Sequence, residues 1–522
     1  MVSSSDYHAS LKRQRCSILG PDTATLQQFL LQPDSGLAAA VTVDGVRSYG
    51  NLRGDIGRRA ALLLEAGIGR GDIVGVQLPN TWDFMVTHAA LAAIGAVTAT
   101  LHLPYRERER KTLLDFIGAC AWIGQDGRDG SAMLRNWPAN QDLAGRTSPR
   151  TAMSELGNPE DPFAIFFTSG THSLVPKPCL HSYDTLLGNA VAVARDAGMS
   201  SSDVFISASP FTHLFGMLSL HLSWVLGATQ VLVEKFAPAR FVEQCSANHA
   251  TVAFMVPTHV RDLVDYLDTC PKEAKRDLQL REIRVAGAAV PSELVRAIRK
   301  SSGAAVINHW GMSELGAGCH THWQDDPEVP CGSIGNPVGS AEIRIMGSDE
   351  NLITEPGVIG ELLFRGCSLF HGYFRNPDAT VQSLWVQEDQ TWLRSGDLAS
   401  WRLDGRVQYR GRLKDIVNRG GMKISAMEIE EVVATMPGIL CAVLVAVPDD
   451  RLGERGCLAV VVDKDTTVSL EQVCQHLEQT GLARFKWPER LVVCDEIPRT
   501  PTGKVAKARL RELVTPSVSQ EV

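Results

Sequence analysis

Two widely separated segments carry groups suited to phosphate chemistry. FFTSGTHSLVPKP, Phe166 to Pro178, is dense in hydroxyls and follows an apolar run, Phe163 to Phe167, of the kind that launches a phosphate-cradling loop. Backbone N–H groups across Thr168, Ser169, Gly170, Thr171, His172 and Ser173, with the hydroxyls of Thr168, Ser169, Thr171 and Ser173, can donate to phosphate oxygens, and Lys177 adds positive charge. PRTPTGK, Pro498 to Lys504, brings a second lysine from close to the end of the chain. Where a carboxylate meets a polyphosphate, several anionic oxygens converge, and a mobile cation such as Lys504 can offset that charge while the transfer occurs. Taken singly, a Ser/Thr/Gly cluster is usually a surface turn and a terminal lysine is usually solvated, so the segments between them decide.

Those segments are RVAGAAVP (Arg284 to Pro291), NHWGMSE (Asn308 to Glu314), RSGD (Arg394 to Asp397) and YRGRLKDIVNRGG (Tyr409 to Gly421), preceded by PFTHLFG (Pro210 to Gly216). Glu314 is a hard oxygen ligand of the kind Mg²⁺ prefers, supplemented by water and phosphate. Asp397 offers two acceptor oxygens to a diol. Alone, each residue has a plainer reading: Glu314 as a helix cap or surface acid, Asp397 as a turn residue, Arg412 as a surface cation, Gly420 and Gly421 as a hairpin turn, and His213 as a satisfied core histidine.

In this order the loop, NHWGMSE, RSGD, YRGRLKDIVNRGG and PTGK resemble the adenylate-forming superfamily, which contains acyl-coenzyme A synthetases, peptide-synthetase adenylation domains and beetle luciferases; the resemblance runs from about Tyr49 to Leu510. It implies that Trp310 forms an aromatic wall against adenine, and that Gly287, Ala288 and Ala289, with Asn308, His309, Gly311 and Met312, line the nucleotide and acyl sites. It further implies that Ser313 meets the α-phosphate, Glu314 holds Mg²⁺, and Asp397 and Arg412 contact the ribose. Lys414 takes the hinge position about which a small domain swings, Gly420 and Gly421 border the tunnel for the thiol arm, and Lys504 acts in adenylation. His213 stands where the acyl pocket meets that tunnel, as a gate or a donor to the acyl carbonyl. GELLFRG and HGYFRNPDAT also match, and are read as mainly structural. The sequence departs from the family's T-S-G-T-T-G-x-P-K loop: His172 and Ser173 replace Thr and Gly, and one residue is added before Pro176. Backbone donors survive that change; access to positive φ is reduced.

The resemblance implies a two-step reaction. A carboxylate is attached to the α-phosphate of ATP with loss of pyrophosphate, and a thiolate, that of coenzyme A, then displaces AMP. An ammonium-bearing substrate would need an acid in its pocket. Ile206 to Leu218 contains none, and Leu214 follows His213 where catechol and salicylate activators place Asn. The expected substrate is therefore an apolar carboxylic acid: medium-chain, alicyclic or aromatic. Alternatives are an enzyme that loads the phosphopantetheine arm of an acyl or peptidyl carrier protein, a non-catalytic nucleotide-binding relative, and a light-emitting oxidase.

The elements that must position these groups follow from pattern. Short β-branched runs, Ile73 to Leu78, Val204 to Ala208, Thr229 to Val233 and Thr251 to Val256, alternate with helical patterns such as Leu52 to Ala66, which predicts α/β layers with largely parallel sheets. Gln125 to Asn158 is polar and reads as a loop-bearing connection. After the Gly- and Arg-rich stretch the pattern becomes compact α+β, with strands at Ala442 to Val447, Cys457 to Val462 and Arg490 to Cys494 and a helix around Leu470 to Leu477. The predicted fold is thus a large α/β domain, residues 1–411, holding the nucleotide and acyl sites, and a small mobile α+β lid domain, 412–522.

The 522 residues exceed what one simple core needs, and 51 basic against 59 acidic residues, without runs of like charge, argue against a nucleic-acid partner. The 12 cysteines are scattered without knuckle or redox spacing and read as small buried residues of a reducing compartment. No signal-peptide pattern opens the chain, and the apolar stretch Leu91 to Leu101 is too short to span a bilayer, so a cytoplasmic protein is expected.

Overall fold

The structure, a computed structural model, describes residues 26–124, 135–138, 158–168, 176–271, 278–464, 466–499 and 505–515. It has the α/β class expected from the sequence, and its chain divides into two compact units. The larger takes in the described residues within Met1–Thr168, Val175–Ile343 and Phe364–Arg394; the smaller takes in Arg344–Leu363 and the described residues from Ser395 onward.

Among the described residues, two sheets lie wholly within the larger unit. One has six strands in the order Arg135–Pro138, Ala121–Gly124, Ile73–Gln77, Val97–Thr100, Pro162–Phe167, Pro178–Ser182, parallel except for the last pair. The other has nine: Asn336–Pro337, Gly316–His320, Ala305–Met312, Glu282–Val285, Val252–Met255, Val204–Ser207, Thr229–Val231, Ala38–Thr42, Gly45–Ser48. Its strands are parallel from Ala305–Met312 to Ala38–Thr42 and antiparallel at both ends. Sheets of this kind are buried on both faces, which is why their strands read as continuous apolar runs rather than alternating ones. Residues 74–77, 97–100 and 252–255 are buried throughout.

The predicted elements are present with slightly different ends. Helix Tyr49–Glu65 starts earlier than its periodicity suggests because Ser48 caps it, accepting from the Asn51 amide at 3.1 Å while the Asn51 side chain accepts from the Ser48 amide at 2.9 Å. The stretch Leu91 to Leu101 ends the helix Trp82–Ala93 and continues into the strand Val97–Thr100. Among the described residues no helix is long and apolar enough to cross a membrane. The polar connection after Gln125 hides a short strand, Arg135–Pro138; the remainder of it up to 157 lies outside the described residues.

In the smaller unit, Met422–Ser425, Ile416–Arg419, Gly453–Val462 and Ile439–Asp449 form an antiparallel sheet, and Arg490–Val493 adds in parallel to Gly453–Val462. Period-two alternation gives this sheet two apolar faces. Leu444, Ala446, Leu458 and Val460 pack with Ile429, Val433, Val473 and Leu477 of the helices Ala426–Val433 and Leu470–Gln479. Val443, Val445, Val447, Cys457 and Ala459 pack with Leu510 and Val514 of the helix Lys507–Val514.

Leu458 is fully buried on the first of these faces. Its replacement by alanine is expected to destabilise the smaller unit by about 2–5 kcal/mol. The effect should be read as faster amide hydrogen exchange across Gly453–Val462 with exchange in Ala305–Met312 unchanged; equal acceleration in both strands would contradict independent cores.

Candidate active site

In parallel α/β sheets, ligands bind outside the carboxyl ends of the strands, where helix N-termini and loop amides converge. The larger unit places most of its expected site residues there. Thr168 follows Pro162–Phe167, Pro210 to His213 follows Val204–Ser207, Gly287 to Ala289 follows Glu282–Val285, and Ser313 and Glu314 follow Ala305–Met312.

The hydroxyl-rich loop is closed at its base. The Thr168 amide donates to the Lys177 carbonyl at 2.9 Å and the Lys177 amide to Thr168 Oγ1 at 3.0 Å, extending the antiparallel ladder one step beyond Phe167 opposite Pro178. The Thr168 hydroxyl thus helps to close the base of the loop. Ser169, Gly170, Thr171, His172 and Ser173 lie outside the described residues. The Lys177 side chain is exposed, and its Nζ stands 4.7 Å from the centre of the Tyr373 ring.

Glu314 is 9% exposed, and its Oε1 accepts from Tyr373 Oη at 2.7 Å. Its carbonyl accepts from the Phe370 amide at 2.8 Å. The neighbouring Ser313 carbonyl takes a 2.7 Å hydrogen bond from His181 Nε2, which fixes the proton on that nitrogen. Among the described residues no group of three or more His, Cys, Asp or Glu could hold a metal ion. A lone carboxylate of this kind does not suit a zinc cage. It fits Mg²⁺, which takes one or two carboxylates and fills its octahedron with water and phosphate.

Strand alternation sorts the residues of Ala305–Met312. Trp310 is buried against Gly318 and Phe364, its ring centre 6.2 Å from that of Phe364. A Cβ on Gly318 would come within 2.6 Å of the indole, so glycine is what lets the ring lie there. Asn308 is held by its backbone and amide to Thr321 and Ser333. His309 points to the opposite face from Trp310. Its Nε2 meets Arg284 at 2.7 Å, and Arg284 donates to Glu282 at 3.0 Å, all three being buried. Burial, then the charges of Arg284 and His320, push the His309 imidazole well below its usual range and keep it neutral. The structure therefore does not bring His309 to the face shared by Asn308 and Trp310. Gly311 is exposed and Met312 half-buried; Gly287, Ala288 and Ala289 are exposed.

His213 is half-buried and caps the helix Leu214–Leu226, accepting the Met217 amide on its carbonyl at 2.8 Å. Its ring stacks on His102 with centres 3.9 Å apart and planes at 20°. The turn that carries it is clamped from the other sheet: Asn80 donates to the Ser207 and Ser209 carbonyls and accepts the Phe211 amide at 2.7 Å. His102, Asn80 and His181 all escape a reading of motifs, and Tyr373 falls in a motif read as structural. Each acts across sheets or loops, and only turn signals beside them, such as PN and HGY, hint at a fixed backbone.

In the smaller unit, Asp397 stands opposite Arg412 in the ladder between Gln390–Trp401 and Val407–Arg412, with Arg412 Nε 3.5 Å from Asp397 Oδ1. Asp397 is buried. Burial opposes the Arg412 charge, but Asp397, Tyr409 and Asp415 outweigh it and hold the guanidinium above its usual value. Lys414 is exposed in the single turn Leu413–Asp415 that follows. Gly420 and Gly421, with φ of +56° and +87°, form the two-residue turn between Ile416–Arg419 and Met422–Ser425, a geometry that requires positive φ at both positions. Lys504 lies outside the described residues. Beside it, Arg499 bridges Val505, the Ala506 amide donates to the Pro498 carbonyl at 2.8 Å, and Lys507 Nζ reaches Glu430 at 2.8 Å.

Comparison with known proteins bears on these groups. The chain matches the AMP-binding enzyme family over residues 34–374 and the AMP-binding enzyme C-terminal domain over 428–504. It is 29% identical over 488 residues to the medium-chain fatty-acid–CoA ligase of Escherichia coli strain K12, covering 88% of this chain and 84% of that one. It is 30% identical over 513 residues to the 2-hydroxy-7-methoxy-5-methyl-1-naphthoate–CoA ligase of Streptomyces carzinostaticus, covering 91% and 90%. The crystal structure of ATP-bound MatB from Rhodopseudomonas palustris superposes with a TM-score of 0.83 at 26% identity, covering 94% of this chain and 99% of that one. The chain therefore belongs to the AMP-binding enzymes of the adenylate-forming superfamily.

Proposed function

We propose that the protein is an ATP-dependent acid–thiol ligase that activates an apolar carboxylic acid as its acyl-adenylate and transfers the acyl group to coenzyme A. The observation that carries this reading is the placement of Lys177, His213 and the Tyr373-held Glu314 beyond the carboxyl ends of the parallel strands of one unit. The relatives named for CoA ligation of a medium-chain and an aromatic acid support the reaction class. An apolar substrate is supported by the side chains around His213, where Phe215 packs on Phe254 and Leu214 on the adjoining core.

The chemistry runs in two displacements. A carboxylate oxygen attacks the α-phosphorus of ATP, the bond to the bridging oxygen breaks, and pyrophosphate leaves; AMP has then replaced oxide as the leaving group on the acyl carbon. The thiolate of coenzyme A attacks that carbon and AMP departs. No side-chain nucleophile is required. Lys177, the loop amides and Lys504 offset charge on the phosphates, and Trp310 with Asn308 borders the base. Glu314 would hold Mg²⁺, whose contribution is to neutralise phosphate charge. Asp397, set beside Arg412 by strand register, accepts from the ribose hydroxyls. Between the steps the lid beginning near residue 412 swings at Lys414, which withdraws Lys504 and presents Gly420 and Gly421 to the thiol arm.

A panel of carboxylic acids scored by pyrophosphate release, with and without coenzyme A, tests the substrate and the acceptor. Medium-chain, alicyclic or simple aromatic acids should release pyrophosphate, and coenzyme A should convert them to thioesters. Thioester formed only on a phosphopantetheine carrier protein would reassign the acceptor, and no release with any acid would refute the reading. The Lys504→Ala variant should lose acid-dependent pyrophosphate exchange by about three orders of magnitude, as removal of a charge-stabilising group does. It should keep much of its thioester formation from pre-made acyl-adenylate; equal loss of both activities would contradict the division of labour.

A further inference from the structure

The segment His371 to Thr380 reads from sequence as structural, yet it supplies the residue on which two charged groups of the site rest. Tyr373 donates its hydroxyl to Glu314 Oε1 at 2.7 Å, and the Lys177 ammonium stands 4.7 Å from the centre of the same ring. The ring is itself fixed from several sides. The Tyr373 amide donates to Thr380 Oγ1 at 2.9 Å, Tyr373 bridges Cys179, and the Phe374 amide donates to the Pro178 carbonyl at 2.8 Å. Phe370 packs edge-on at 5.0 Å. The thiol of Cys179 registers both charges: burial raises it well above its usual value, Glu314 raises it further, and Lys177 opposes them.

A carboxylate and an ammonium in one neighbourhood tend to close on each other, and a closed pair offers less to an incoming anion and its cation. Here both are engaged by one neutral side chain, the carboxylate by its hydroxyl and the ammonium by its ring face. The two contacts reinforce each other, because donation to an anion enriches the ring in electron density and strengthens its attraction for a cation. We propose that Tyr373 is a positioning residue that holds Glu314 and Lys177 apart, so that the carboxylate remains available to the divalent cation and the lysine to the triphosphate. This rests on the reading of the protein as an adenylate-forming ligase. It adds to that reading a residue outside the nucleotide motifs and a reason for its chemistry.

The test is ATP binding by calorimetry without any acid, so that no turnover occurs, in the presence and absence of Mg²⁺. Tyr373→Phe keeps the ring and removes only the hydroxyl. Its Mg²⁺-free ATP affinity should stay close to that of the unaltered protein, while the gain in affinity that Mg²⁺ confers should fall about ten- to a hundredfold, the worth of one hydrogen bond to a charged group. In the Glu314→Gln background, removal of the same hydroxyl should change the Mg²⁺ gain by less than about twofold, since coupled residues are non-additive. Tyr373→Leu, lacking the ring as well, should also weaken Mg²⁺-free binding. An unchanged Mg²⁺ gain in Tyr373→Phe, or equal effects in both backgrounds, would overturn the positioning role while leaving the ligase reading intact. Failure of the unaltered protein to bind ATP with Mg²⁺ would overturn the ligase reading itself.

Discussion

Opposite charges that share a small polar site must be kept from neutralising one another before the substrate arrives, and much of the larger unit serves that end. Tyr373 can face both Glu314 and Lys177 only because its backbone is tied to Pro178–Ser182, the strand that closes the hydroxyl-rich loop. Glu314 stays in reach because its own carbonyl is held by Phe370 and the preceding carbonyl by His181. Three hydrogen bonds thus tie the turn carrying Phe370 and Tyr373, the strand Pro178–Ser182 and the Ser313–Glu314 backbone together. The parallel sheets behind them put these segments at one set of strand ends, where phosphates are accommodated by backbone amides rather than by many side chains.

The smaller unit handles its carboxylate differently. Asp397 is set opposite Arg412 by strand register, at a separation of 3.5 Å that is long for a hydrogen bond. A pair set by the ladder at that separation leaves the carboxylate oxygens of Asp397 in position to accept from a sugar diol, the role proposed for it. The same ladder leads directly into the turn Leu413–Asp415 and the glycine corner at Gly420 and Gly421, so the residues proposed for ribose contact, hinge and tunnel follow one another along a continuous run of chain. Lys507, bound to Glu430 and the Leu444 carbonyl, anchors the far side of the segment that carries Lys504.

The sequence made the fold class legible because buried parallel strands and the two-faced sheet of the smaller unit each leave a periodic signature. Leu444 and Ala446 alternate with Val443, Val445 and Val447 as the two packed faces require. Local spacing also singled out Glu314 and Asp397, and the structure shows what holds each of them. What was not legible is cooperation between distant elements. Tyr373 lies 59 positions from Glu314, and no periodicity encodes a single hydroxyl reaching across that interval. His102 under His213 and Asn80 clamping Phe211 are of the same kind. His309 shows the converse: a motif position counted with the nucleotide site is turned by strand alternation toward Arg284 and Glu282, in a buried polar network beneath the strand. The run of residues in a motif does not say which face each one takes.

The account depends most on activation of the acid through the α-phosphate. A carboxylic acid that supports turnover, labelled with ¹⁸O at both carboxyl oxygens, tests this directly by mass analysis of the nucleotide released. Adenylation followed by thiolysis predicts one labelled oxygen in AMP and none in pyrophosphate. Label recovered in inorganic phosphate alongside ADP, or AMP formed without label, would contradict it.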